Sequence, residues 1–148
     1  MNDVLSKLPV FLHNHLALAA LFVVLVLAII VLQVLILLRK DKELTPAGLT
    51  LLINRESPLM IDLSAYADFE KGHIPGARHV AMSQFDPEQK DLAKAKELAV
   101  VVMDKDGRGA ADKAALRLVK AGFTKVYRLG GGVLAWQAAQ LPLSKGKN

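Results

Sequence analysis

Cysteine is absent from all 148 residues. That excludes disulfides, thiolate nucleophiles and any sulfur chemistry carried covalently by the chain. Histidine is scarce too. His13, His15, His73 and His79 are scattered and show no metal-ligand spacing. Neither a metal nor a cofactor is expected. Aromatic residues make up only 5% of the chain and do not interleave with the basic ones. A net charge of +5 therefore reads as a solvated basic surface, and no nucleic-acid partner is expected.

Charge itself is missing over one long stretch. Leu16 to Leu38 is a run of 23 residues with no charged side chain, and Gln33 is its one clearly polar residue. At about 1.5 Å per residue this makes roughly 35 Å of helix, enough to cross a hydrocarbon core of about 30 Å with some tilt. A cleaved signal peptide fits poorly, because the run is too long and is followed by Arg39-Lys40-Asp41-Lys42-Glu43 where a small-residue cleavage site is needed. A buried soluble helix fits no better, since nothing downstream is large enough to cover such a run on all sides. A transmembrane helix is expected, with the lipid bilayer as its first partner.

Orientation follows from the flanks. Arg39, Lys40 and Lys42 stand after the run and only Lys7 before it, which predicts a short outer N-terminal tail and a cytoplasmic C-terminal part, as in a bacterial inner membrane. Asp3 and Lys7 cancel, so the net positive charge lies after the span. Anionic lipid is its simplest counterpart.

Beyond the span the chain alternates short strands and helices. Thr45-Pro46 is a helix start, with a capping hydroxyl and proline at the first helical position. Leu59–Leu63 is a buried strand, and Ser64 is expected to cap a short helix through Tyr66 and Phe69. The segment Asp86–Glu97 reads as helical in its second half. Leu98–Met103 is the clearest strand and is expected to be central. Ala110–Ala121 is an amphipathic helix with Ala111, Ala114, Ala115, Leu118 and Val119 on one face and Gly122 at its left-handed end. Lys125–Leu129 is a further strand, and Gly130-Gly131-Gly132 opens a last helix through Val133, Leu134 and Trp136. Trp136 is expected to plug the core. Such alternation argues for an α/β layer structure with a mostly parallel sheet.

The segment Gly72-His73-Ile74-Pro75-Gly76-Ala77, placed shortly after a strand ending in Asp62-Leu63, resembles a signature of the rhodanese family. The resemblance covers nearly all of Thr45–Leu143 and includes Lys120-Ala121-Gly122-Phe123 and Gly131-Gly132-Val133-Leu134-Ala135-Trp136. With the N-terminal anchor, the layout is similar to membrane-anchored rhodanese-like proteins of the YibN type. It implies a rhodanese-like domain, a central mostly parallel sheet flanked by helices. The expected organisation is a tail over 1–15, a transmembrane helix over 16–38, a basic juxtamembrane linker over 39–44, the domain over 45–143 and a basic tail over 144–148. His73 is expected to fix the signature turn by a hydrogen bond, with Pro75 and Gly76 setting the backbone.

In that family a nucleophilic cysteine follows the central strand, in a loop of inward-facing N–H groups. The corresponding segment here is Asp104-Lys105-Asp106-Gly107-Arg108-Gly109-Ala110. Asp104 stands at the cysteine position, or Lys105 in a one-residue alternative, and neither can carry sulfane sulfur. Ser64 stands where the family commonly has arginine, and Ala110 where a small hydroxyl residue often begins the helix.

A carboxylate of Asp104 or Asp106 is therefore expected to cap the following helix and fill the anion cradle from within. The rival reading keeps the loop as a site in which Arg108 and N–H groups near Gly107 and Gly109 bind a small external anion. Val101–Gly107 also resembles the aspartate-nucleophile motif of haloacid dehalogenase-type phosphatases, which implies an attacking Asp104 and a proton-handling Asp106 with Mg²⁺. Context opposes that resemblance, because Asp112 is the only acid beyond Asp106. The expected function is a catalytically inactive domain that binds or scaffolds a protein at the membrane; the alternative is a residual enzyme or small-anion sensor using Asp104–Ala110.

Overall fold

In the computed structural model residues 15–37 and 41–147 are described. The N-terminal tail up to residue 14, the end of the apolar run at Leu38 and the basic flank Arg39-Lys40 lie outside them. The chain divides into two units, Met1–Arg39 and Lys40–Asn148.

Among the described residues the first unit holds one helix, α1 (Leu16–Leu37), 22 residues long. From Leu16 to Val34 it is long and apolar enough to cross a membrane, and none of that stretch is buried within the protein. An all-round apolar helix with no protein to cover it has lost the usual reason for a soluble helix to be amphipathic.

The second unit carries five strands, β1 (Lys42–Leu44), β2 (Leu59–Asp62), β3 (Arg78–His79), β4 (Ala99–Met103) and β5 (Lys125–Leu129). They form one sheet in the order β1-β5-β4-β2-β3 with every pairing parallel. The helices are α2 (Pro46–Glu56), α3 (Tyr66–Lys71), α4 (Lys90–Ala93), α5 (Ala110–Lys120) and α6 (Gly132–Ala138).

β4 is central, as its unbroken Ala-Val-Val-Val-Met sequence requires, and all five residues are buried. A strand covered on both faces has no polar side to present. Val100 and Val102 meet Ala111, Ala114, Ala115 and Leu118 of α5 on one face. Val101 and Met103 meet Leu49, Leu129 and Trp136 on the other. Trp136 is the expected plug, and its indole N–H donates to the Pro142 carbonyl at 2.8 Å.

Local sequence explains several boundaries. Thr45 Oγ1 accepts the Gly48 N–H at 3.1 Å and Pro46 occupies the first turn of α2. Gly122 has a φ of +91° just past the end of α5. Three expectations need correction. Ser64 does not cap α3: the Asp62 carboxylate takes the Ser64 N–H at 2.8 Å, and the helix starts later, with Ala65 at its N-cap and no side-chain cap. Helix in the 86–97 segment shrinks to the four residues of α4. Residues 42–44, read as linker, are strand β1, paired with β5 from Lys42 opposite Tyr127 to Leu44 opposite Leu129.

What holds β1 in place is a guanidinium. Arg128 of β5 donates from Nε to Asp41 at 2.5 Å and from Nη1 to Asp112 at 2.5 Å, with Nη2 3.5 Å from Glu43. The planar fork of arginine suits this convergence of carboxylates. The Asp41 side chain is only 1% exposed, so loss of Arg128 leaves a buried, uncompensated carboxylate. Arg128→Met is expected to destabilise the protein by about 3 kcal/mol or more, measured by urea denaturation of the detergent-solubilised chain. A loss under about 1 kcal/mol would mean that the pairs act as ordinary surface ion pairs.

Candidate functional site

The carboxyl ends of β2, β4 and β5 face a common rim, and the loop 104–109 between β4 and α5 forms its centre. Parallel α/β sheets place their sites at this end, because the loops there carry helix N-termini. The site is therefore set by what each loop does with its backbone N–H groups.

Asp104 directly follows β4 and is 5% exposed. Its Oδ1 accepts the Gly107 N–H at 2.6 Å and its Oδ2 accepts the Ala111 N–H at 3.0 Å. The Ala110 N–H lies beside the same carboxylate and donates to the Arg108 carbonyl at 3.1 Å. Gly109, the N-cap of α5, has no side chain to cap with, so Asp104 performs that duty from five residues upstream. Burial raises the Asp104 carboxyl above the ordinary aspartate value, the N–H groups of Ala111, Gly107 and Ala110 draw it back in part, and neighbouring Asp106 adds to the rise. Asp106 makes only a local turn, accepting the Arg108 N–H at 3.1 Å, and Arg108 is exposed.

The two candidate positions for a nucleophile thus point apart. Asp104 turns inward onto the loop. Lys105 turns outward, and its ammonium lies 3.2 Å from Asp68 on α3.

A seam of backbone holds this loop against the one after β5. The Val133 N–H donates to the Asp104 carbonyl and the Leu134 N–H to the Lys105 carbonyl, both at 3.0 Å. A Cβ on Gly132 would sit 2.2 Å from the Asp104 oxygen, and one on Gly107 2.6 Å from the Gly131 nitrogen. Both residues have positive φ, +59° and +76°. Only glycine meets both demands.

The signature segment buttresses the rim from the side. His73 is 1% exposed and its ring stacks on Phe69 at 3.8 Å between centroids. Its Nδ1 lies 2.9 Å from the Phe69 carbonyl, which can only accept, so the proton is on Nδ1. The His73 backbone exchanges two hydrogen bonds with Ser144. The expected hydrogen bond exists, but it ties the turn back to α3. The Ala77 N–H closes the turn on the Ile74 carbonyl at 3.0 Å, and Gly76 between them has a φ of +85°; Gly72, Ile74 and Pro75 complete the segment.

Among the described residues no group of three or more His, Asp or Glu could hold a metal ion. Sequence reasoning missed the Lys105–Asp68 pair and the bond from His79 Nε2 to the Ser64 carbonyl at 2.9 Å. Their partners are 37 and 15 residues apart, with no local signal to join them.

A family model described as the rhodanese-like domain matches residues 45–139. The chain belongs to that family. It is 33% identical over 144 residues to the YibN protein of Escherichia coli, covering 97% of this chain and 100% of that one. It is 29% identical over 117 residues to a thiosulfate sulfurtransferase of Azotobacter vinelandii, covering 68% of this chain and 43% of the other. Among solved structures it is similar to a thiosulfate sulfurtransferase from Pseudomonas aeruginosa, with a TM-score of 0.62 and 27% identity over 72% of this chain and 20% of that one. The chain therefore spans all of YibN but less than half of either sulfurtransferase. It is a rhodanese-like domain protein without a cysteine.

Two outcomes test the geometry of the loop. Because folding disfavours the charged form of Asp104, the stability it contributes is complete below the unfolded pKa of about 3.9 and fades as pH rises through the higher folded value. The stability gap between wild type and Asp104→Ala is expected to be wider at about pH 4 than at about pH 7, read by urea denaturation. A gap that widens with pH would show that the N–H bonds outweigh burial. Asp104→Cys would place a thiol at the same buried position, and its pKa is expected to rise above about 8.5, because the burial that raises the Asp104 carboxyl acts on a thiol as well. Alkylation rate against pH reports it directly, because the chain has no other thiol; a value below about 8.5 would mean that the N–H groups outweigh burial.

Proposed function

We propose that the protein is a membrane-anchored, catalytically inactive rhodanese-like protein whose domain recognises a protein partner at the cytoplasmic face, in a bacterial inner membrane. The observation that carries the loss of catalysis is the Asp104 carboxylate, bonded to the N–H groups of Gly107 and Ala111. Asp104 takes the place of the family's thiolate, and its oxygens hold N–H groups that would otherwise face a persulfide or thiosulfate. The small-anion sensor loses one of its donors, since the Gly107 N–H is already engaged.

Anchoring is supported by the length and apolar character of α1, and orientation by the excess of Lys and Arg after it. A fold does not fix its function, and a rim closed to chemistry still presents shape and charge to another molecule.

Single cysteines placed in this cysteine-free chain test orientation. Asn2→Cys is expected to react with a membrane-impermeant maleimide in intact spheroplasts, and Lys147→Cys only after lysis; the opposite pattern would invert the topology. Recognition is tested by crosslinking in native membranes and pull-down, comparing the intact protein with one whose Leu16–Leu38 is replaced by an unrelated apolar helix. Partners kept after the swap place recognition on the domain. Partners lost place it in the span and defeat the reading.

A further inference from the structure

A cleft of about 410 Å³ opens on the rim, bounded by α3, the loop after β4, α6 and the segment that follows α6. It belongs to neither the interior of the anion loop nor the core. Three of its lining residues are lysines, Lys71, Lys105 and Lys145, each from a different segment, and Asp68 is its one acid. That acid already engages Lys105 at 3.2 Å across the cleft. Apolar surface lies between the charges: Leu134 of α6 is 48% exposed and Leu143 lines the same wall. Ser64 lines the cleft as well, with a buried hydroxyl that has no hydrogen-bond partner.

Resting on the recognition reading above, we propose that this cleft docks an acidic peptide segment of the partner protein, its carboxylates on Lys71, Lys105 and Lys145 and an apolar side chain over Leu134 and Leu143. Charge complementarity selects the ligand, since an acid is the only common side chain that suits three ammonium groups at once. A small inorganic anion suits the site less well. The lysines stand on separate segments, the apolar wall contributes nothing to such an ion, and the nearby N–H cradle is filled by Asp104. Asp68 is then an internal stand-in for one ligand carboxylate: an incoming peptide displaces it from Lys105. The arrangement makes two removals act in opposite directions. Loss of Lys105 weakens docking, and loss of the Asp68 charge strengthens it by freeing Lys105.

The test uses the full-length protein in nanodiscs of zwitterionic lipid and the fluorescent peptide Glu-Glu-Leu-Glu-Glu, followed by anisotropy. Wild type is expected to bind in a salt-dependent manner. Asp68→Asn is expected to tighten binding about two- to fivefold, and Lys105→Glu to weaken it about fivefold or more. Lys113→Glu on α5, an equal charge change outside the cleft, is expected to leave affinity within about twofold. The proposal is overturned if Asp68→Asn fails to tighten binding, if Lys113→Glu matches Lys105→Glu, or if free glutarate competes as well as the peptide. If span-swapped protein still captures partners and Lys105→Glu captures them equally, the cleft fails while domain recognition stands. Loss of capture on swapping the span, with peptide binding intact, defeats the recognition reading instead.

Discussion

Asp104 is where the two halves of the sheet's upper rim are joined. Its carboxylate takes the Ala111 N–H in the first turn of α5, which covers one face, and its carbonyl takes the Val133 N–H in the first turn of α6, which covers the other. A parallel sheet needs helices on both faces to bury its strands, and both of these begin at one residue. The glycines at 107 and 132 follow from that constraint, since the two loops approach closely enough for a Cβ on either to collide with backbone. Unpaired N–H groups at a buried helix start are costly. In a chain without a thiol a carboxylate satisfies them, at the cost of burying a charge.

The Gly107, Arg108, Ala110 and Ala111 N–H groups are paired within the protein, so this part of the rim does not need a ligand to order it. Lysines from three segments around an apolar wall give the rim a sign as well as a shape.

Those parts of the fold that declare themselves over a few consecutive residues were legible in the sequence. β4 is an aliphatic run, α5 repeats its alanines and Leu118 on one face, and Thr45-Pro46 and Gly122 mark boundaries by local chemistry. β1 left no such trace. Three residues, two of them charged, do not look like a strand, because an edge strand is held by its neighbour and here by an ion pair from 87 residues away. The capping role of Asp104 was visible as one of two choices, Asp104 or Asp106. Only the path of the loop separates them, since Asp106 folds onto Arg108 while Asp104 reaches α5. Ser64 was misread as a cap for a related reason. Asp62 binds its N–H first and delays the helix, a competition between two short-range signals that composition does not resolve.

The ion cluster at Arg128 also has a mechanical meaning. Asp41 precedes the first strand of the domain, so tension carried along the backbone from the N-terminal side meets the domain there. It is borne first by a guanidinium clamped to Asp41 and by a three-residue parallel strand. The aliphatic interior lies behind that fastening and takes up load only after it gives way. A domain secured in this manner resists a pull through charge and geometry at its edge, and its core is spared the strain.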